Sequence, residues 1–138
     1  MYTHPVSFGR GLYGLVLAFP VALFTQAMLT DIAYLKTEEL QWSNFSAWAI
    51  VGGLVFGGIA FLWSLFGVLR FRSLTHSLHS VLLLAMCLFG LVNAFKHSQD
   101  GWSSVGSLGM TLSVLSCVCA LVAGLVHYTG TLHKGAVR

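Results

Sequence analysis

The sequence predicts an all-α integral membrane protein, with four transmembrane helices in an up-down-up-down bundle and both termini in the cytoplasm. Three observations carry this. The 138 residues are 57% hydrophobic and only 8% charged, whereas an average soluble domain is roughly 25% charged. The apolar residues fall into four long segments, none of which contains Lys, Arg, Asp or Glu. The few basic residues are divided unevenly between the two ends of those segments, which sets an orientation. The length allows a single domain, 1–138, with no room for a sizeable soluble part.

The segments run from Leu12 to Thr30, Phe45 to Leu69, Ser77 to Phe95 and Val105 to Tyr128. A hydrocarbon core of roughly 30 Å takes about 20 helical residues, and all four come close to that. Each is expected to be helical, because a spanning segment must satisfy its own backbone hydrogen bonds. The first begins after Arg10 and reaches Asp31 without a small-residue cleavage site, so it is expected to stay as a helix and not to be removed as a signal peptide. Pro20 lies inside it and removes one donor. Ser43 and Asn44 offer an N-cap to the second helix, Thr75 to the third, and Ser103 or Ser104 to the fourth. Asp100-Gly101 reads as the turn between the last two helices.

With four crossings, both ends and the middle connection share one side. That side holds Arg10, Arg70, Arg72, Lys134 and Arg138, against Lys36 and Lys96 opposite. Five against two places the termini in the cytoplasm of a multi-pass protein of the bacterial inner membrane. Every acid, namely Asp31, Glu38, Glu39 and Asp100, falls on the other side, where Trp42, Trp48 and Trp102 form part of an aromatic belt. The basic residues form no run interleaved with aromatics, which argues against a nucleic-acid partner.

Small residues at four-residue steps suggest close helix contacts: Gly53 and Gly57 in the second helix, and Gly109, Ser113 and Gly124 in the fourth. They serve packing within the bundle or, alternatively, a homo-oligomer interface. Cys87, Cys117 and Cys119 all lie in apolar segments. Two residues apart on a helix, Cys117 and Cys119 point about 200° from each other, so no metal pair is expected there.

Four stretches carry a resemblance: Phe19-Pro20-Val21-Ala22-Leu23, Thr30-Asp31-Ile32-Ala33-Tyr34-Leu35, Asn44-Phe45-Ser46-Ala47-Trp48, and His97-Ser98-Gln99-Asp100-Gly101-Trp102-Ser103-Ser104-Val105. Together with the spacing of the segments, they resemble the bacterial membrane proteins grouped as domain of unknown function 2231, over about residues 8 to 138. Some members of that family lie beside, or are joined to, quinoproteins similar to sorbosone dehydrogenase. The resemblance implies a partnership with a periplasmic quinoprotein dehydrogenase or respiratory complex. The layout is also similar to small membrane cytochromes b. Relatives commonly carry His-Pro pairs ahead of the first helix, where this chain has Arg10-Gly11 and Tyr13-Gly14; His4-Pro5 lies farther out. If those histidines serve a cofactor in relatives, this chain lacks part of that site.

Histidine is the residue type with chemistry to offer. His76 and His79 share a helix face, and His127 closes the fourth helix at a similar depth. His79 and His127 are the candidate axial ligands of a haem b, with His76 as a third candidate and Arg10, Arg70 or Arg72 as propionate contacts. The competing reading is that these are interfacial histidines at the bilayer edge. The acids are expected at helix ends and in loops, none buried within a helix, which leaves no acid–base pair for catalysis. Asp31 with Tyr34, and Asp100 with Trp102, could dock a periplasmic partner, or simply cap helices.

The function expected from these readings is a non-catalytic membrane subunit or anchor of a respiratory or quinoprotein dehydrogenase system. The alternative is a small b-type cytochrome or quinone-binding electron carrier, and the third reading an oligomeric small-solute transporter. No bound cofactor is the default, with haem b or quinone as the alternatives.

Overall fold

A computed structural model of the chain describes residues 7–98 and 105–136, with side chains up to position 130. The described residues form four helices: α1 (Phe8–Thr37), α2 (Leu40–Phe71), α3 (Leu74–His97) and α4 (Ser107–Ala136). All four are long and apolar enough to cross a membrane. Each packs against its neighbour in sequence, and α1 also packs against α4, so the up-down-up-down bundle closes on itself. The start of α1, the end of α4 and the α2–α3 link lie at one end, the termini end; the α1–α2 link and the end of α3 lie at the far end.

The helices are longer than the apolar segments. At about 1.5 Å per residue, α1 with its 30 residues measures roughly 45 Å, so its ends project beyond the hydrocarbon core. The sequence reading stops the first helix before Asp31 because a charge usually ends a spanning segment. The helix instead runs on through Asp31 to Thr37, because Asp31 is buried and hydrogen-bonded inside the bundle. The expected N-caps are displaced too. Ser43 lies within α2 and Thr75 within α3, while Glu39 and Ser73 precede those helices and make no side-chain cap bond. Ser103, Ser104 and the Asp100-Gly101 turn lie outside the described residues.

Two of the connections are alike. Glu38-Glu39 joins α1 to α2 and Arg72-Ser73 joins α2 to α3, each as one left-handed residue followed by one extended residue. Glu38 (φ 57°) and Arg72 (φ 43°) close their helices with N–H bonds to Tyr34 O (2.7 Å) and Val68 O (3.0 Å). These are left-handed C-terminal closures made without glycine. Links this short force consecutive helices to lie antiparallel and in contact.

The core is a layer of large residues set against small ones. Phe24 is fully buried, and a Cβ on Gly53 of α2 or Gly90 of α3 would meet its ring at 3.0 and 2.8 Å. The Phe24 ring is therefore clamped between two glycines on different helices. Gly57 likewise faces Met86 and Pro20, so both glycines of the α2 pair pack inside the bundle. Gly124 faces Val21, Gly109 is buried, and Ser113 is buried with its hydroxyl on Asp31. In lipid, close packing of this kind supplies the association that hydrophobicity cannot. The outer faces carry Leu15, Phe19, Val55, Ile59, Leu84, Leu88, Val92 and Leu125, all exposed, a surface that only a bilayer can cover.

Candidate functional site

Polar side chains inside the bundle gather in two places, one towards each end of α1. The first lies at the termini end. Tyr13 of α1 is buried, and its hydroxyl lies 2.6 Å from Nε2 of His79 on α3 and 3.4 Å from the Ala60 carbonyl on α2. One proton serves the short contact. The hydroxyl donates to an unprotonated Nε2, or it turns to the Ala60 carbonyl and accepts from Nε2–H. His127 of α4 completes the group, its ring 4.9 Å from Tyr13 and 5.9 Å from His79. Trp63 of α2 meets Tyr13 edge-on at 5.6 Å. One aromatic residue from each helix thus contributes to the same cluster.

Beside this cluster is a cavity of about 660 Å³, within the usual size range of small-molecule sites. Arg10, Tyr13, Trp63, Ser64, Arg70, His76, His79 and His127 line it together with Phe66 and Phe71. Its polar fittings come from neighbouring bonds: Ser80 donates to Ser64 at 2.8 Å, Ser64 to the Phe61 carbonyl, and His76 stacks on Phe71 at 5.2 Å. His76 Nδ1 is buried without a hydrogen-bond partner in the protein. A buried polar atom left open costs free energy, and His76, which carries one, is among the residues lining the cavity. Arg10 and Arg70 supply positive charge to the lining, and among the described residues no acid belongs to it.

The histidines named from sequence are therefore brought together, with Arg10 and Arg70 beside them, while Arg72 forms the α2–α3 link and does not line the cavity. Their arrangement does not fit a bis-histidine haem. Such a haem needs a free nitrogen on each imidazole, facing the other across the porphyrin plane. Here the Tyr13 ring packs against both imidazoles, 5.9 Å from His79 and 4.9 Å from His127, in the space a porphyrin between them would need. Among the described residues, no three His, Cys, Asp or Glu side chains form a metal-holding group.

The second polar group lies towards the far end. Asp31 of α1 is 0% exposed. One carboxylate oxygen lies 2.9 Å from Nε2 of His97 on α3, and the other accepts from the Ser113 hydroxyl on α4. Asn93 Nδ2 donates to Ser113 Oγ at 2.7 Å. This corrects the sequence reading, which placed Asp31 at an outward-facing helix end and no acid within a helix. The cue was in the sequence: Asp31 is followed by Ile32-Ala33-Tyr34-Leu35, which continues the apolar pattern for another turn. Tyr34 is half-buried, and Asp100 and Trp102 lie outside the described residues.

The two groups are separated along α1 by the 18 positions from 13 to 31, about 27 Å. Leu17, Pro20 and Phe24 fill that interval, all buried. Within that interval Thr25 Oγ1 of α1 donates to the Val21 carbonyl and touches Cys117 Sγ on α4 at 3.5 Å.

Residues 9–133 match the family described as "Predicted membrane protein (DUF2231)", and the chain belongs to that family. No curated protein and no solved structure matches it.

Proposed function

We propose that this member of the family is a membrane subunit that holds a quinone-class ligand in the cavity at its termini end. The observation that carries this reading is the cavity itself, whose wall sets Tyr13, His76, His79 and Trp63 beside Arg10 and Arg70. A quinone head presents two carbonyl oxygens that accept hydrogen bonds, and a flat ring that packs on aromatic side chains. Trp63 and Phe66 line the cavity and are 37% and 73% exposed. They mark where an isoprenoid tail can leave for the bilayer.

A protein that holds quinone beside a dehydrogenase serves as its membrane-side subunit. The association with a respiratory or quinoprotein dehydrogenase in the bacterial inner membrane is drawn from the resemblance described above. The cytoplasmic placement of the cavity follows from the uneven distribution of Lys and Arg. No catalytic step is assigned to the chain.

The test uses Trp63 as its own reporter. With Trp42, Trp48 and Trp102 changed to Phe, fluorescence in liposomes is followed as a short-chain benzoquinone is added. Saturable quenching that is weakened by His76→Ala supports the site. Quenching that rises without limit, as for quinone dissolved in lipid, overturns it.

A further inference from the structure

The Asp31 group at the far end belongs to a different site from the cavity, and its hydrogen-bond geometry fixes a proton count. His97 Nδ1 lies 3.0 Å from the carbonyl oxygen of Asn93, one turn earlier in α3. A carbonyl can only accept, so Nδ1 carries a hydrogen. His97 Nε2 lies 2.9 Å from Asp31 Oδ1, and that contact also needs a hydrogen, on Nε2 if the carboxyl is ionised or on the carboxyl if it is not. In either arrangement the pair holds one proton more than a carboxylate beside a neutral imidazole. Without that proton, two acceptors would face each other, and a net negative charge would be buried where Asp31 is 0% exposed.

The surroundings are built to hold this pair and not to neutralise it otherwise. The Ser113 hydroxyl donates to the second carboxylate oxygen, and Asn93 Nδ2 donates in turn to Ser113. The order is Ser–Asp–His, so His97 cannot take the serine proton and the group is not a nucleophilic triad. Asn93, itself 0% exposed, keeps its Oδ1 buried and unpartnered, an open acceptor in the same network. Among the described residues, titratable groups near the pair are few. On α1, Tyr34 lies one turn beyond Asp31, with Lys36 and the linking Glu38 and Glu39 farther out. On α3, Lys96 adjoins His97. α2 has none from Leu40 to Leu69, and the first on α4 is Cys117. His97 is the last residue of α3, at the far end of the bundle.

We propose that Asp31 and His97 form a proton-binding site that exchanges one proton with the aqueous phase at the far end of the bundle. Asn93 and Ser113 act as positioning residues for the carboxyl group. An ionisable pair inside a membrane span is costly and is found where protons or ions are handled. The exchanged ligand is the proton alone: on loading it bonds at Nε2 or at the carboxyl oxygen, and on release it passes to water.

The experiment is a pH titration of the full chain in lipid nanodiscs, read by NMR at the His97 ring nitrogens and the Asp31 carboxyl carbon. The site predicts one coincident step, seen at both residues, in which a single proton is lost on going from acid to alkaline pH. In Asp31→Asn, the coincident step is lost and His97 titrates alone. Should that variant fail to fold, Ser113→Ala keeps both members and displaces the step in pH. Independent titration of the two residues, no change across the pH range, or a step unmoved in Ser113→Ala overturns the proposal and leaves a packing contact.

Discussion

Tyr13 and His79, 66 positions apart in the chain, meet at 2.6 Å inside the bundle. The contact ties the start of α1 to the start of α3 across the termini end, and both residues line the cavity. Neither stands out in sequence: one is a tyrosine early in an apolar segment, the other a histidine close to a helix start. Together they set one wall of the proposed quinone site.

Tyr13→Phe removes the hydroxyl and leaves His79 Nε2 without its partner. A buried polar group abandoned in this way costs about 1–3 kcal/mol. The expected result is a lower midpoint of thermal unfolding in mild detergent, with the helix content retained. The same variant should bind the short-chain benzoquinone several-fold more weakly. Unchanged affinity beside reduced stability would make the contact structural only.

The glycine contacts predict an order of stability. A Cβ at Gly90 would lie 2.8 Å from two atoms of the rigid Phe24 ring, whereas one at Gly57 would meet the movable tip of Met86 at 2.6 Å, and one at Gly58 meets nothing within 4 Å. Overpacking a filled core costs about 1–3 kcal/mol. Gly90→Ala should fall in that range, Gly57→Ala should cost less, and Gly58→Ala should be close to neutral. Unfolding midpoints of the three variants, measured in one detergent, test the order. Equal values would deny the clamp around Phe24.

Removing one member of the Asp31–His97 pair should cost more than removing both. His97→Ala leaves a buried carboxylate with only Ser113 to satisfy it, a change worth about 3–5 kcal/mol in such pairs. The double variant Asp31→Leu/His97→Leu removes the charge together with its partner and should recover part of that loss. Additive losses in a double-mutant cycle would show that the two side chains do not depend on each other.

Much of the fold was legible because lipid imposes a simple rule: long uncharged segments must be helices, and few charges remain to orient them. The four helices and their closely packed small residues follow from that rule. The helix ends were less legible. A charged residue normally ends a span, and nothing local reveals that Asp31 has His97 and Ser113 waiting 66 and 82 positions away. The cavity was half-legible. His76, His79 and His127 were identified from their shared depth, with Arg10 and Arg70 beside them. Tyr13 and Trp63 were not identified as site residues, since an aromatic residue in a membrane helix usually faces lipid or core, and only the packing of all four helices brings these two to the histidines.

Orientation is open to a direct check. Glu38 and Arg72 are both exposed, in links at opposite ends of the bundle. With the native cysteines replaced, Arg72→Cys should react with a membrane-impermeant thiol reagent only from the cytoplasmic side, and Glu38→Cys only from the opposite side. The reverse pattern would move the cavity to the outer leaflet.

The central claim is the quinone-class site, and photolabelling tests it most directly. A photoreactive azidoquinone is activated in liposomes that carry the full chain, and the adducts are mapped by mass spectrometry. The site predicts adducts on the segments holding Tyr13, Trp63 and His76–His79, suppressed by excess unlabelled quinone. Adducts confined to lipid-facing positions such as Leu84, Leu88 and Leu125, or labelling that excess quinone leaves unchanged, would contradict it.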